Sequence, residues 1–389
     1  MSGTQKIRPD SQVILGIESS CDETAAAIVA GGRDILSSVV ASQIDIHRKY
    51  GGVVPELASR EHLRQIVPVV REALDQAGLT LQDVAAIGVT QGPGLVGSLL
   101  VGLTYGKVLA MSLGKPLVPV NHLEGHVHAV FLEAHLSGER PELPAICLIV
   151  SGGHTLLYTV RPTETSGKGS EPGHENPSQL FNYLRIGGTR DDAAGEAYDK
   201  VAKMLALGYP GGPVIDQLAP KGNPAAIRFG AIKIRGNSYD FSFSGLKTAV
   251  FYFLRDHPEL ADEIKARCDA LVRGERKAAQ LLPLCSATTL DLIASFQRAV
   301  VSDLVKRTLG AAQEFKVRSI LVSGGVAANS ELRAAFEQAA GASGLKACFP
   351  SRALSTDNAA MIAAAAYPRF VAGQFGDITL NAESALPLR

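Results

Sequence analysis

Short apolar runs rich in β-branched residues recur along the chain, and a turn of glycine or small polar residues follows each of them. Such runs occupy positions 13–17, 84–90, 146–150 and 319–322. Because they lack alternation of polar and apolar positions, they are typical of central strands that are covered on both faces. The spacing after each turn is helical, so the chain is predicted to have an α/β fold.

Four amphipathic segments are predicted to be helices because their apolar residues recur every three or four positions. They cover residues 61–77, 192–207, 288–309 and 329–340. Pro68 predicts a kink or a break in the first helix, and Gly78 predicts its end.

Two polar stretches interrupt this pattern. Residues 161–188 are rich in Gly, Pro and Ser, and are predicted to form a loop or an extended hairpin that projects from the second half of the chain. Residues 208–222 also have the composition of a loop. The strand and turn at 13–24 are echoed at 146–155, which predicts two similar halves that face a cleft.

Composition sets the class of protein. The chain has 389 residues, of which 46% are apolar and 20% charged, which is ordinary for a globular protein with two lobes. The zero net charge argues against strong binding of nucleic acid by charge alone. Five scattered cysteines without CxxC spacing indicate a reducing compartment. No secretory signal or membrane-length apolar run is apparent, so a cytoplasmic location is expected.

The motif HLEGH places His122 and His126 four residues apart, which puts both imidazoles on one face of a helix, within reach of one metal ion. Asp357, at a predicted helix start, is the candidate third ligand. Two histidines and one carboxylate with open positions are typical of a catalytic metal site. The alternative is a pair of surface or helix-capping histidines.

Three glycine-rich or small-polar turns follow predicted strands at 16–24, 151–155 and 323–329. Small residues let the backbone approach a phosphate, and their N–H and hydroxyl groups can donate to it. Each turn alone could be a plain hairpin, but together they favour a nucleotide cleft. Asn329 is a candidate helix N-cap and ligand, and Asp191 or Asp192 is expected to cap the helix at 192–207. Asp216, beside a glycine turn, could hold a ribose or an amino group.

Ten motifs together resemble the universal tRNA N6-adenosine threonylcarbamoyltransferase family in its bacterial form (TsaD), which is also known by the older name O-sialoglycoprotein endopeptidase. The resemblance runs from Gly16 to about Phe370. The motifs are GIESSCDET (16–24), PELASREH (55–62), GPGLVGSLLVG (92–102), NHLEGH (121–126), SGGHT (151–155), TRDDAAGEAYDK (189–200), YPGGP (209–213), FSFSGLKTAV (241–250), SGGVAAN (323–329) and STDNAAMIA (355–363).

The resemblance implies an actin-like ATPase fold, as in sugar kinases, Hsp70 and actin. Residues 11–121 with 355–389 would form the first lobe, and residues 122–354 the second. It also implies a divalent metal, Fe²⁺ ahead of Zn²⁺, on His122, His126 and Asp357. ATP or an adenylate is expected in the cleft, against Ile149, Val150, Ser151, Gly152, Gly153, Asp199, Gly212, Asp216 and Asn329.

The reaction implied by the resemblance moves an L-threonylcarbamoyl group from threonylcarbamoyl-AMP to N6 of adenosine 37 in tRNAs that read codons beginning with A, and AMP leaves. His154, Asp22 and Glu23 are candidate proton acceptors. The implied partners are tRNA, a paralogous TsaB-like subunit and a TsaE-like ATPase. Helix 61–77 is a candidate docking surface, and a role for loop 161–188 in partner or tRNA contact is a further hypothesis.

Three other classes compete with this interpretation. A metalloprotease needs His-Glu-x-x-His, but Glu124 stands one residue too late to match it. A small-molecule kinase of the same fold would need an aspartate base and a metal held mainly by phosphates. A non-enzymatic scaffold for other tRNA-modifying proteins is the third alternative.

Overall fold

The computed structural model of the protein describes residues 12–138, 140–163, 178–230 and 234–389. Its strands form two five-stranded sheets, in the orders β3-β2-β1-β4-β5 and β10-β9-β6-β7-β8. The strands are β1 Val13–Glu18, β2 Glu23–Ala30, β3 Asp34–Ser42, β4 Ala86–Gly92, β5 Leu117–Asn121, β6 Ala145–Val150, β7 Thr155–Pro162, β8 Phe181–Gly188, β9 Ser319–Ser323 and β10 Lys346–Cys348.

The two sheets have the same connectivity. In the first, β2 and β3 extend β1 in antiparallel fashion, while β4 and β5 run parallel to it. In the second, β7 and β8 are antiparallel to β6, and β9 and β10 continue in parallel. Each sheet carries a register shift between its two outer antiparallel strands. The prediction of two similar halves is therefore confirmed, and the fold is of the actin-like type.

Helices cover both sheets. They are α1 Ile44–His47, α2 Pro55–Ala77, α3 Val96–Leu113, α4 His122–Ser137, α5 Ala194–Met204, α6 Gly211–Leu218, α7 Ser244–Asp256, α8 Ala261–Val272, α9 Ala278–Leu281, α10 Ala287–Glu314, α11 Ser330–Ala342, α12 Arg352–Ser355 and α13 Ala359–Val371. Short 3-10 helices lie at Arg48–Tyr50, Ala219–Lys221, Pro258–Leu260, Leu282–Leu284 and Gly325–Ala328.

Helix α2 is longer than the sequence predicts. It begins at Pro55, where a proline in the first turn costs no hydrogen bond, and it continues without a break through Pro68. Gly78 ends it in the left-handed conformation, as predicted. Part of the predicted apolar stripe faces outward, since Leu63 and Val67 are exposed while the other members are buried or nearly so.

The prediction of a loop at 208–222 is wrong, because this stretch contains α6. Two glycines and a proline favour a turn, but here they form the first turn of a helix, where backbone N–H groups have no intrahelical partner. The carboxylate of Asp199 accepts a hydrogen bond from Gly211 N at 2.7 Å and satisfies one of them. Ile215 and Leu218 then bury the inner face of the helix.

The predicted cap of the helix at 192–207 is also wrong. Helix α5 begins after Ala193, and Asp191 instead caps α7. Its carboxylate accepts hydrogen bonds from the backbone N–H groups of Phe243 and Ser244 at 2.8 and 3.2 Å. The aspartate therefore stabilises the start of a helix that is remote in sequence.

The polar segment 161–188 is partly a hairpin. Strands β7 and β8 pair from Leu156 with Gly188 to Pro162 with Phe181. Residues 181–188 are therefore strand rather than loop, and residues 164–177 lie outside the described residues.

Alanine-rich helix α13 packs unusually close to the first sheet. A Cβ at Gly16 would lie 2.3 Å from the carbonyl oxygen of Ala359, and a Cβ at Gly88 would lie 2.7 Å from Ala366 Cβ. Helix α13 also packs on α4. Asp357, two residues before α13, is thereby brought beside the start of α4.

Helix α4 separates the two sheets. Ala129 and Leu132 belong to the core beneath the first sheet, whereas Leu123 and Val127 belong to the core of the second. The predicted lobe boundary between residues 121 and 122 falls at the start of this shared helix. The division into lobes stays a prediction.

One helix within the described residues, α3, is long and apolar enough to cross a membrane by length and composition. It packs on α2 and β4 of the first half. A single helix of this kind is weak evidence for a membrane span, because core helices of globular proteins share its composition.

Candidate metal and nucleotide site

The structure brings His122, His126 and Asp357 together. Asn121 ends β5 and caps α4 by accepting a hydrogen bond from Leu123 N, so both histidines lie in the first turns of the helix. Asp357 stands two residues before α13. Its Oδ1 lies 3.6 Å from His122 Nε2 and 3.3 Å from His126 Nε2. One ligand atom from each residue falls within 4.8 Å of the others, a group that could hold one metal ion.

The end of β1 and the turn that follows it fix the orientation of His122. Its Nδ1 lies 3.0 Å from Glu18 Oε2 and 3.1 Å from Ser20 Oγ. Thr90 Oγ1 donates to the same Glu18 oxygen at 2.7 Å, and Ser20 N donates to the other. A carboxylate behind one imidazole nitrogen fixes the ring and leaves Nε2 free for a metal.

Opposite charges accumulate in this buried cluster. Burial disfavours the imidazolium of His122, but Glu18 and Asp357 outweigh burial and raise its pKa to about 9. Burial likewise opposes ionisation of Asp357, yet His122 and His126 lower its pKa well below the usual range. The carboxylates therefore favour a cation between the imidazoles, which is the demand that a divalent metal would meet.

His126 fits the same role through its lack of partners. Its side chain is fully buried, and neither ring nitrogen has a hydrogen-bond partner among the described residues. The 3.3 Å approach of Nε2 to Asp357 is an ion-pair distance without hydrogen-bond alignment. A buried imidazole without a partner costs free energy, and a metal ion would relieve that cost.

Further acids surround this cluster. Burial, followed by the charge of Asp357, raises the pKa of Asp22. Burial raises the pKa of Glu23 to about 8 and that of Asp199 to about 6. His154 approaches His122 with 6.4 Å between ring centroids, and burial and the two neighbouring histidines lower its pKa to about 4.

The turn after β6 is open. Gly152 and Gly153 are exposed, and a Cβ built on either glycine meets no atom within 4 Å. Packing within the protein therefore does not require glycine at either position. A backbone without side chains at this exposed turn allows a ligand to approach closely. Ile149 and Val150 differ, because their side chains are fully buried in the cores and only their backbones could face a ligand.

The other predicted nucleotide contacts lie on α5, α6 and α11. Asp216 accepts hydrogen bonds from Ser330 N and Ser330 Oγ, which joins α6 to the start of α11. Asn329 caps α11, as predicted, and its Nδ2 also donates to Gln297 Oε1 at 2.8 Å. Gly212, in the first turn of α6, again leaves open space where a Cβ would stand.

The sequence reasoning missed the groups that position the triad. Glu18 lies in a recognised motif, but its partner His122 is more than a hundred residues away, so no spacing could reveal the contact. Glu124 is a second example. It is 1% exposed, and Arg369 on α13 donates to its Oε2 at 2.7 and 3.1 Å. This ion pair joins the helix of the histidines to the helix that follows Asp357.

Comparisons with known proteins indicate the family of the chain. A family model described as tRNA N6-adenosine threonylcarbamoyltransferase matches residues 34–171 and 173–364. A protein of that name from Koribacter versatilis is 54% identical over 392 residues, covering 97% of this chain and 99% of the relative. One from Symbiobacterium thermophilum is 50% identical over 377 residues and covers 97% of each chain.

Solved structures support the fold. The crystal structure of HypF from T. kodakarensis superposes with a TM-score of 0.51 at 13% identity, covering 95% of this chain and 49% of that one. At this identity the likeness concerns the fold alone, and it agrees with the duplicated sheets.

Proposed function

We propose a mechanism on the premise that this chain belongs to the tRNA N6-adenosine threonylcarbamoyltransferase family. It is a transferase that places an L-threonylcarbamoyl group on N6 of adenosine 37 in tRNA. The donor is inferred to be threonylcarbamoyl-AMP, and the acceptors are tRNAs that read codons beginning with A. The exocyclic amine attacks the carbamoyl carbon, the bond to the AMP phosphate breaks, and the amine loses a proton.

The observation that carries the proposal is the convergence of two imidazoles and a carboxylate beside the open turn after β6. His122, His126 and Asp357 would hold a divalent cation, and we expect Fe²⁺ ahead of Zn²⁺ because two histidines and one carboxylate with open positions are typical of Fe²⁺ sites. Such a cation supplies Lewis-acid chemistry to phosphate and carbonyl oxygens, worth several kcal/mol at a developing negative charge.

The protein's own groups orient the donor. The backbone N–H groups of Gly152 and Gly153 are exposed and could donate to negative charge that develops on the donor. Gly212 leaves space for the flat face of a nucleoside, and Asp199 and Asp216 stand at either end of the same short helix. Holding the donor in this way lowers the entropic cost of the attack.

The proton of the amine needs an acceptor near the reacting atoms. The pKa of His154, about 4, makes this imidazole a weak base at neutral pH. Burial raises the pKa of Asp22, which brings that carboxylate closer to the operating pH. We therefore propose that Asp22 or His154 takes the proton in this step.

Proteolysis is disfavoured by the state of Glu124. The general base of a metalloprotease must reach a metal-bound water, but this carboxylate is fully buried and paired with Arg369. Its position therefore agrees with the sequence argument that it stands one residue too late.

The test is transfer of labelled threonine to tRNA by the purified full chain, with its partner proteins and the adenylate donor. His122→Ala should abolish transfer and metal content while leaving the melting temperature within a few degrees. A variant with normal turnover and no bound metal would contradict the metal assignment. Failure of the wild type to label tRNA would contradict the donor or the acceptor.

We propose the outer face of α2 and α3 as the docking surface for a TsaB-like subunit. Leu63 on α2 is 66% exposed, and Met111 on α3 is 69% exposed. Val67, Val96, Leu100 and Val108 extend the exposed apolar surface. A paralogue of the same fold would present matching helices, so apolar helix faces would meet. Leu63→Asp should weaken association with that subunit by at least tenfold in a pull-down titration.

A cytoplasmic location is inferred from the tRNA substrate.

A further inference from the structure

The 3-10 helix Arg48–Tyr50 lies where the two halves of the molecule meet. Arg48 Nε donates to the carbonyl oxygen of Tyr209, a residue of the second half, at 3.3 Å. Gly51 then turns the chain with a φ of 71°. A Cβ at Gly51 would lie 3.8 Å from Nζ of Lys203 on α5. This segment of the first half therefore contacts the second half at two points.

The same segment borders the candidate site. Burial raises the pKa of Tyr209, and the charges of Asp22 and Asp199 raise it further, so both carboxylates lie near its phenol. Asp22 in turn senses the charge of Asp357. His47, buried at the end of α1, also faces Asp22. The helix Arg48–Tyr50 therefore lies against Tyr209 and against α5, which carries Asp199, one of the acids near the metal triad.

The chemistry exposed there is a ring flanked by cations. Tyr50 is 48% exposed, and Nζ of Lys49 stands 4.9 Å from its ring centroid. Lys49 and Lys203 are both exposed, and neither has an ion-pair partner among the described residues. Arg48 differs, since Asp45 holds it at 2.5 Å. Lys49 and Lys203 therefore leave two unpaired cations beside the exposed ring of Tyr50.

An aromatic face beside unpaired lysines is the combination that binds single-stranded nucleic acid. A base stacks on the ring, and the ammonium groups neutralise phosphates on either side. The acceptor must be unpaired at this site, because the N6 amine of a paired adenine is engaged in base pairing. A single-stranded loop can present that amine with its neighbouring bases splayed apart.

We propose that Lys49, Tyr50 and Lys203 bind the RNA strand that carries the target adenosine, an inference that rests on the proposed function. Tyr50 stacks on a base that flanks the adenosine, while Lys49 and Lys203 contact phosphates of the same strand. These residues position the RNA and take no part in the chemical step.

The chain offers a matched control. Tyr252 on α7 is 49% exposed, and the guanidinium of Arg255 stands 4.8 Å from its ring centroid. This pair has nearly the same exposure and the same ring–cation geometry. No described contact joins it to the metal triad or to the open turn. Tyr252→Ala therefore measures the effect of losing an exposed aromatic ring that is remote from the proposed RNA-binding residues.

The experiment measures transfer to tRNA by the full chain with its partner proteins, and binding of a fluorescent anticodon stem-loop RNA. Tyr50→Ala should raise the KM for tRNA and weaken RNA binding by about 5- to 100-fold, because stacking is lost. Tyr50→Phe keeps the ring and should behave like the wild type. Lys49→Ala and Lys203→Ala should each reduce the salt dependence of RNA binding by about one charge.

Metal content, the KM for the adenylate donor and the melting temperature should stay unchanged in all these variants. An unchanged KM for tRNA in Tyr50→Ala, or an equal loss in Tyr252→Ala, would overturn the proposal. The proposed function is tested separately. If the wild type binds the RNA through Tyr50 but transfers nothing to it, the proposed transfer reaction is contradicted. The proposed RNA-binding surface is then still supported.

Discussion

Two turns occupy equivalent places in the duplicated fold, but they are built in opposite ways. The turn between β1 and β2 is closed, with Ser19 and Ser20 at most 2% exposed and a Cβ at Gly94 only 2.5 Å from Ser20 O. The turn between β6 and β7 is open at Gly152 and Gly153. Since the connectivity of the sheets is the same, the difference lies in the residues of the turns.

The closed turn serves the protein, and the open turn is left for a ligand. The side chains of Glu18 and Ser20 contact Nδ1 of His122, so this region fixes the orientation of one candidate metal ligand. The turn at 151–153 has exposed backbone and no side chain in the way. A duplicated element has therefore taken two tasks, which can be separated by mutation.

The largest effect is expected at the metal triad that the closed turn supports. Asp357→Ala removes the carboxylate that faces both imidazoles, so metal should be lost and transfer should fall by about a thousandfold or more. Metal analysis and labelled transfer check this. His154→Ala, on the open turn, is the control and should keep its metal. Metal loss in both variants would contradict the conclusion that only the closed turn supports metal binding.

A smaller effect is expected behind the triad. Glu18→Gln keeps the shape of the side chain but removes the charge that orients His122, so metal affinity should fall by about 10- to 100-fold. Titration with metal in competition with a chelator measures this. Thr90→Val removes only one donor to Glu18 and should cost less. Equal affinity in Glu18→Gln and wild type would show that the closed turn does not tune the ligand.

Gly94, which follows β4 and packs against the closed turn, and Gly152 of the open turn should respond differently to an added methyl group. Gly94→Ala places a Cβ against Ser20 O and should lower the free energy of unfolding by about 1–3 kcal/mol. Gly152→Ala has open space and should change stability by less than about 0.5 kcal/mol, while weakening adenylate binding. Chemical denaturation and nucleotide titration separate the two results. Equal destabilisation would contradict the contrast between closed and open turns.

A pH dependence of stability is also expected near the open turn. Burial raises the pKa of Asp199 to about 6, above its value in the unfolded chain. The contribution of Asp199 to the free energy of unfolding therefore falls as the pH rises from about 4 to about 6. It stays constant above that range. Asp199→Asn should gain stability over the wild type between about pH 4 and 6 and keep that gain at higher pH. Denaturation at several pH values, with the exposed Asp256→Asn as control, measures it. A constant difference would refute it.

The comparison also shows what the sequence could predict. Regular spacing identified His122 and His126, because a helical turn fixes which residues are neighbours. Continuous apolar runs identified the central strands, because both faces of such strands are buried. Glu18, Arg369 and the cap at Asp191 depend on contacts between remote segments, and spacing carries no record of these. Helix α6 was missed because its glycines favour a turn, whereas Asp199 and the core around Ile215 stabilise a helix.

The close seat of α13 on Gly16 and Gly88 has a consequence for how the enzyme is made. The two histidines are synthesised more than two hundred residues before Asp357. A nascent chain thus carries two imidazoles without the carboxylate, and α13 cannot yet cover the first sheet. The complete triad can therefore bind a metal only after residue 357 has been added, so a chain that stalls before this residue cannot acquire the full site.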